Sequence, residues 1–146
     1  ESLINYLDTE LNNLVPKEDI KLFIRTESEQ FDLSDSIKNH AQKIDDLIAN
    51  IKVCDPAIGS GAFPVGMLIE IVKARKVLEI YLDHKHGVYD FKRHCIQNSL
   101  YGVDIDPGAI EIAKLRLWLS LVVDEDDYTN IQPLPNLDYK IMQGNL

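Results

Sequence analysis

The sequence predicts an α/β fold, a parallel sheet with flanking helices, preceded by a helical N-terminal segment. Two observations predict it. Short strand-like stretches recur at residues 51–55, 100–104 and 139–143, the first of them β-branched, and the first two end in an acid with proline close behind, as strands running into turns do. Long stretches with one apolar side lie between them. Strand–helix–strand–helix–strand order implies parallel pairing through right-handed crossovers, half of a doubly wound domain. Residues 1–50 carry helical periodicity and no strand signal. The expected organisation is therefore a helical segment over residues 1–50 packed on a core over residues 51–146.

Taken in order, Leu3, Leu7, Leu11 and Leu14 recur at spacings of three and four, one apolar stripe before Pro16. Residues 17–31 read as a charged connector anchored by Phe23 and Ile24. Ser34 or Asp35 is placed to cap a helix whose inner face carries Ile37, Ala41, Ile44 and Ile48. After the first strand, residues 62–83 read as a helix with Pro64 in its first turn, where a missing N–H costs little. A shorter helix is expected over residues 91–98. Pro107 opens another, with Ile110, Ala113, Leu117 and Leu121 as its buried stripe, widened by Leu115 and Trp118. An acidic loop at residues 124–127 and the prolines at 133 and 135 precede the third strand.

Composition narrows the class. A chain of 146 residues, 45% hydrophobic and 27% charged, suits one compact globular domain. No apolar run approaches the roughly 20 residues of a membrane helix, so no membrane partner is expected. The N-terminus lacks a secretory pattern, and Cys54 and Cys95 are widely separated. The expectation is a cytoplasmic protein with reduced thiols. The chain opens on Glu1 and not Met, which suggests a piece of something longer. A formal net charge of −9 argues against these residues gripping nucleic acid by themselves, because phosphate contacts need Lys and Arg.

The chemistry concentrates in Asp55-Pro56-Ala57-Ile58-Gly59-Ser60-Gly61-Ala62-Phe63. Parallel sheets place ligands outside the carboxyl ends of their strands, and the first strand–helix turn is the usual cradle. Gly59 and Gly61 allow backbone conformations and approaches that a side chain would block. Asp55, at the strand tip, suits a cationic or N–H-rich ligand group. A phosphate-binding loop would need Lys after the second glycine, and none follows Gly61. A dinucleotide fingerprint would need a third glycine where Pro64 stands, and an acid about 20 residues on. Ser60 lacks the Gly-x-Ser-x-Gly frame of a hydrolase elbow. His84 and His86 beside Asp83 lie at a helix end with no further ligand at metal spacing, so no metal site is assigned. Asp106 before Pro107 reads as a helix cap, His94 and Cys95 as partial core, and Cys54 as a buried strand thiol.

The residues 55–63 are similar to the Asp-Pro-Ala-x-Gly-Ser-Gly-x-Phe signature of adenine-N6 DNA methyltransferases, and most similar to the large fused restriction–methylation enzymes known as type IIG. Leu100-Tyr101-Gly102-Val103-Asp104-Ile105-Asp106-Pro107, followed by Ala109 to Ala113 and by Leu115-Arg116-Leu117-Trp118-Leu119, resembles the second signature. Tyr139 to Leu146 resembles the third. The resemblance covers residue 51 to the end. It implies a partial Rossmann-like S-adenosylmethionine-dependent methyltransferase fold, with S-adenosyl-L-methionine as cofactor and double-stranded DNA as substrate. It further implies that Asp55 and the backbone around Pro56, Ala57, Gly59 and Gly61 hold the methionine end, with Ser60, Ala62 and Phe63 in the same turn. Asp104 would accept the two ribose hydroxyls, and Ile105 would pack on the adenine. Asn145 would read the adenine edge, with Leu146 on its other side.

The family's catalytic Asn-Pro-Pro-Tyr signature is absent, since no Pro-Pro pair occurs, and so is its upstream Thr-Pro segment. No catalytic residue is therefore assigned. The expectation is a methyltransferase cut off before its catalytic motif, inactive by itself. DNA would be held by other parts of the parent, such as fused nuclease and target-recognition domains. Two alternatives stand beside this reading: an S-adenosylmethionine-dependent methyltransferase acting on protein or RNA, and a non-catalytic binding module of the same fold.

Overall fold

The computed structural model describes residues 1–26, 32–83, 86–123 and 136–144. They form α1 (Ser2–Leu11), α2 (Lys17–Arg25), α3 (Asp35–Asn39), α4 (Ala41–Ala49), β1 (Val53–Asp55), α5 (Ala62–Glu79), α6 (Val88–Asn98), β2 (Leu100–Asp104), α7 (Pro107–Val122) and β3 (Ile141–Gln143). The chain divides into two compact units. One comprises Glu1–Ile51 with Glu70–His86, the other Lys52–Ile69 with Gly87–Leu146. Helix α5 thus gives its opening turns to one unit and its second half to the other.

In the first unit, α1 buries Leu3, Ile4, Leu7 and Leu11. Leu14 does not extend that stripe. Asn12 and Asn13 take left-handed φ values of 44° and 70°, which stop the helix, a conformation Asn tolerates better than most residues. Leu14 is consequently 49% exposed, and Val15 takes a buried place instead. Lys17–Arg25, expected as connector, is helix α2. Glu18 and Asp19 sit in its first turn and Arg25 in its last, complementing the helix dipole, while Ile20, Phe23 and Ile24 are buried. The single helix expected from Ser34 onward is two. Ser34 holds the N-cap position of α3 without a side-chain cap bond. At His40 the ring Nδ1 lies 2.9 Å from the Ser36 carbonyl. That carbonyl would take the His40 N–H in an unbroken helix, and the N–H turns to Ile37 O instead. Ile37, Ala41, Ile44 and Ile48 are nonetheless all buried. Across this core Arg75 of α5 makes a two-pronged ion pair with buried Asp45, at 2.9 and 3.2 Å.

In the second unit, the three strands form a parallel sheet in the order β1-β2-β3, the pairing predicted from their order. Helix α6 starts at Val88, before the expected residue 91, behind an Asp90 that accepts from the Gly87 N–H. Helix α7 runs over Pro107–Val122 and buries Ile110, Ala113, Leu117 and Leu121; Leu115 does not widen the stripe, being 53% exposed. Lys92 Nζ, buried between helices, donates to Ser120 O near the end of α7, 2.7 Å away. Cys95 is buried, but Cys54 is exposed, against expectation. Parallel strands are normally covered on both faces, yet among the described residues only the face carrying Leu100, Gly102 and Ile141 is buried. Cys54 pairs with Tyr101 on the opposite face. Among the described residues no helix is long and apolar enough to cross a membrane.

Candidate functional site

The carboxyl ends of β1 and β2 bring residues 55–63 and 104–105 together. Asp55 closes β1, and its Oδ1 accepts the Ala57 N–H at 3.0 Å, an aspartate side chain shaping its own turn. Pro56 and Ala57 are exposed, whereas Ile58 turns inward and is 3% exposed. Its N–H donates to Val103 O at 2.9 Å, tying the turn to β2. The Ile58 side chain lies where a Cβ on Gly102 would be, so a side chain at that strand position would displace Ile58.

Gly59 and Gly61 both have positive φ, 54° and 84°, but their surroundings differ. A Cβ on Gly59 would meet nothing within 4 Å, so open space lies beside it. A Cβ on Gly61 would meet the Ala113 backbone Cα at 3.1 Å and its Cβ at 3.2 Å. Gly61 is therefore the point where the turn presses on α7. Its N–H donates to Ile58 O at 2.9 Å, and its carbonyl accepts Val65 N–H as α5 begins. Ser60 is exposed, and its carbonyl O and Oγ both accept from Arg116 Nη1, at 3.1 and 3.2 Å. Ala62 and Phe63 form the exposed first turn of α5, where N–H groups have no intrahelical acceptor; Pro64, next in line, has no N–H.

Asp104 closes β2 beside this turn. Its Oδ2 accepts the Gly59 N–H and its Oδ1 the Asp106 N–H, both at 2.9 Å. These donations, Asp106 first and then Gly59, hold its carboxyl below the usual carboxylate range against a smaller desolvation. The Ile105 N–H adds a smaller contribution in the same direction, and a carboxylate with about four lone-pair sites keeps acceptor capacity beyond these donors. Ile105 is 70% exposed, and its carbonyl accepts from Gln143 Nε2 at 3.2 Å. Asp106 caps α7 through the Gly108 N–H, as its position before Pro107 predicted. Just past β3, Gly144 N–H donates to Asp104 O at 2.9 Å. Asn145 and Leu146 lie outside the described residues, as does His84.

Two contributors escape a motif reading. Arg116 and Gln143 reach the turn and the Ile105 carbonyl across 56 and 38 residues of chain. For Arg116 a signal did exist: it stands one helical turn after Ala113, the small residue that admits Gly61. A separate open groove of about 490 Å³ runs between α7 and β3 past Lys114 and Tyr139, and includes none of residues 55–63, 104 or 105. Among the described residues no cluster of three or more His, Cys, Asp or Glu could hold a metal ion.

The family described as MmeI, DNA-methyltransferase domain, matches residues 30–137. A Methanocaldococcus jannaschii protein whose name describes a type II restriction enzyme and methyltransferase is 41% identical over 103 residues. That alignment covers 68% of this chain and 9% of the relative, so the chain corresponds to a small part of it. No solved structure matches the chain.

Proposed function

Because the chain belongs to the MmeI DNA-methyltransferase-domain family, of type II restriction–modification enzymes, we propose that its glycine turn and strand-end carboxylate hold S-adenosylmethionine for methyl transfer to adenine N6 in DNA. The observation that carries this reading is the pairing of the strand-end Asp104 carboxylate, held ionised by backbone N–H groups, with the open space beside Gly59. A neighbouring vicinal diol finds in Asp104 a carboxylate acceptor. The residues present fit the group. Glycine at position 59 leaves room where any side chain would stand, and the Ala62 and Phe63 N–H groups at the start of α5 favour a carboxylate.

Each of the other expected residues has a matching task. Asp55 faces the cationic amino end, while Pro56, Ala57 and the Ser60 backbone shape the turn around it. Exposed Ile105 offers an apolar surface to a purine ring, and the role of reading the adenine edge is proposed for Asn145 with Leu146, which lie outside the described residues. The bound cofactor supplies an electrophilic methyl group on a sulfonium. This chain's part is to fix that group in place, and alignment of reactants is worth several kcal/mol in such transfers, up to about 7–11. With a net charge of −9 these residues are a poor surface for phosphate, so the grip on DNA is assigned outside them. The target base must leave the stack to be reached.

The test is methyl transfer by the full-length protein carrying this sequence, using labelled S-adenosylmethionine and unmethylated DNA, with the product nucleosides separated. Label in N6-methyladenine is expected. Label only in methylcytosine, in RNA or in protein contradicts the assignment.

A further inference from the structure

We propose that Arg116 is a positioning residue for the cofactor turn, holding the Ser60 peptide from α7 so that the turn keeps its binding shape. The inference rests on the cofactor reading above and extends it to a residue outside the turn. The turn is anchored at Ile58 by Val103 O, at Gly59 by Asp104 and at Gly61 by Ile58 O. Ser60 stands between two glycines at positive φ, and glycine is the residue whose peptide planes rotate most freely. The peptide joining Ser60 to Gly61 adjoins such a glycine and is free to flip unless held. Its N–H is held on one side by Ile58 O, and its carbonyl on the other by Arg116 Nη1 at 3.1 Å.

Arginine suits that task. Its guanidinium stays charged and is a planar fork of donors, and Nη1 meets the Ser60 Oγ as well as the carbonyl. Arg116 lies three residues after Ala113, on the same face of α7, so that one face touches the turn twice, by close packing at Gly61 and by hydrogen bonding at Ser60. Helix α7 is also the helix that Asp106 caps directly behind Asp104. One rigid element thereby keeps the ribose-side acid and the methionine-side turn in register.

The experiment compares R116A, R116K and K114A in the full-length protein, titrated with S-adenosylhomocysteine by calorimetry and melted in parallel. Lys114 carries the same charge on the same helix but pairs with Glu111 and Asp138, away from the turn. R116A should bind roughly 3- to 10-fold more weakly, the scale of one typical hydrogen bond. Its melting point should stay within about 2 °C, as expected for a half-exposed side chain. R116K should fall between R116A and the unsubstituted protein, and K114A should match the latter. Unchanged affinity in R116A, an equal loss in K114A, or a lower melting point with affinity intact each overturns the positioning role. If the unsubstituted protein fails to bind, the cofactor reading itself falls; if it binds and R116A binds as tightly, only this inference falls.

Discussion

Alanine at Gly61 and alanine at Gly59 should do different damage, although both glycines lie in one turn at positive φ. Placing an L-residue in the left-handed region costs about 1–2 kcal/mol at either site. At Gly61 the new methyl also meets Ala113 Cα at 3.1 Å and Cβ at 3.2 Å, closer than the roughly 3.5–4.0 Å of a comfortable carbon contact. The obstruction is helix backbone, which no rotamer change relieves, so overpacking adds about 1–3 kcal/mol. G61A should therefore lose about 2–5 kcal/mol in urea unfolding. G59A should lose only the conformational cost, because its methyl meets nothing within 4 Å. That methyl enters the space proposed for the cofactor, and G59A should bind S-adenosylhomocysteine about tenfold more weakly or worse, the scale of overpacking in a filled site. Equal destabilisation by the two substitutions would refute the assignment of Gly61 to the helix contact. Undiminished affinity in G59A would refute the assignment of Gly59 to the cradle.

Asp104 has its folded-state pKa lowered by the Asp106 and Gly59 N–H groups. Its stabilisation is present above the unfolded carboxylate value and is lost as pH falls through the lower folded one, so D104N should flatten the urea midpoint's acid limb below about pH 4. Asp45→Ala takes the carboxylate from the buried Arg75 guanidinium and should cost about 3–5 kcal/mol, checked by chemical denaturation. A thiol reagent should label exposed Cys54 in the native chain and reach buried Cys95 only in denaturant, which peptide mapping after labelling resolves.

The parts of the site that were legible in the sequence are those whose chemistry is local. A strand that ends in an acid before a double-glycine turn uses residue types that few other conformations require, and residues 55–63 and 104–106 fold where that pattern put them. Helix α2 was missed because Lys17, Glu18, Asp19, Lys21 and Arg25 hide its short apolar face of Ile20, Phe23 and Ile24. The His40 break arises from one side chain competing for a carbonyl, an event periodicity does not register. Cys54 was misjudged because strand composition does not tell which face of a sheet is covered. Gln143 joins the site through a contact between distant residues, which leaves no spacing to read, whereas Arg116 left only its position one helical turn after Ala113.

The most direct measurement is calorimetric titration of the full-length protein and its D104A variant with S-adenosylhomocysteine. One site per chain is expected in the unsubstituted protein. D104A should weaken binding by about 10- to 100-fold, the scale of one or two hydrogen bonds to a charged acceptor. No binding by the unsubstituted protein, or equal binding by both, contradicts the claim that the glycine turn and Asp104 form the cofactor site.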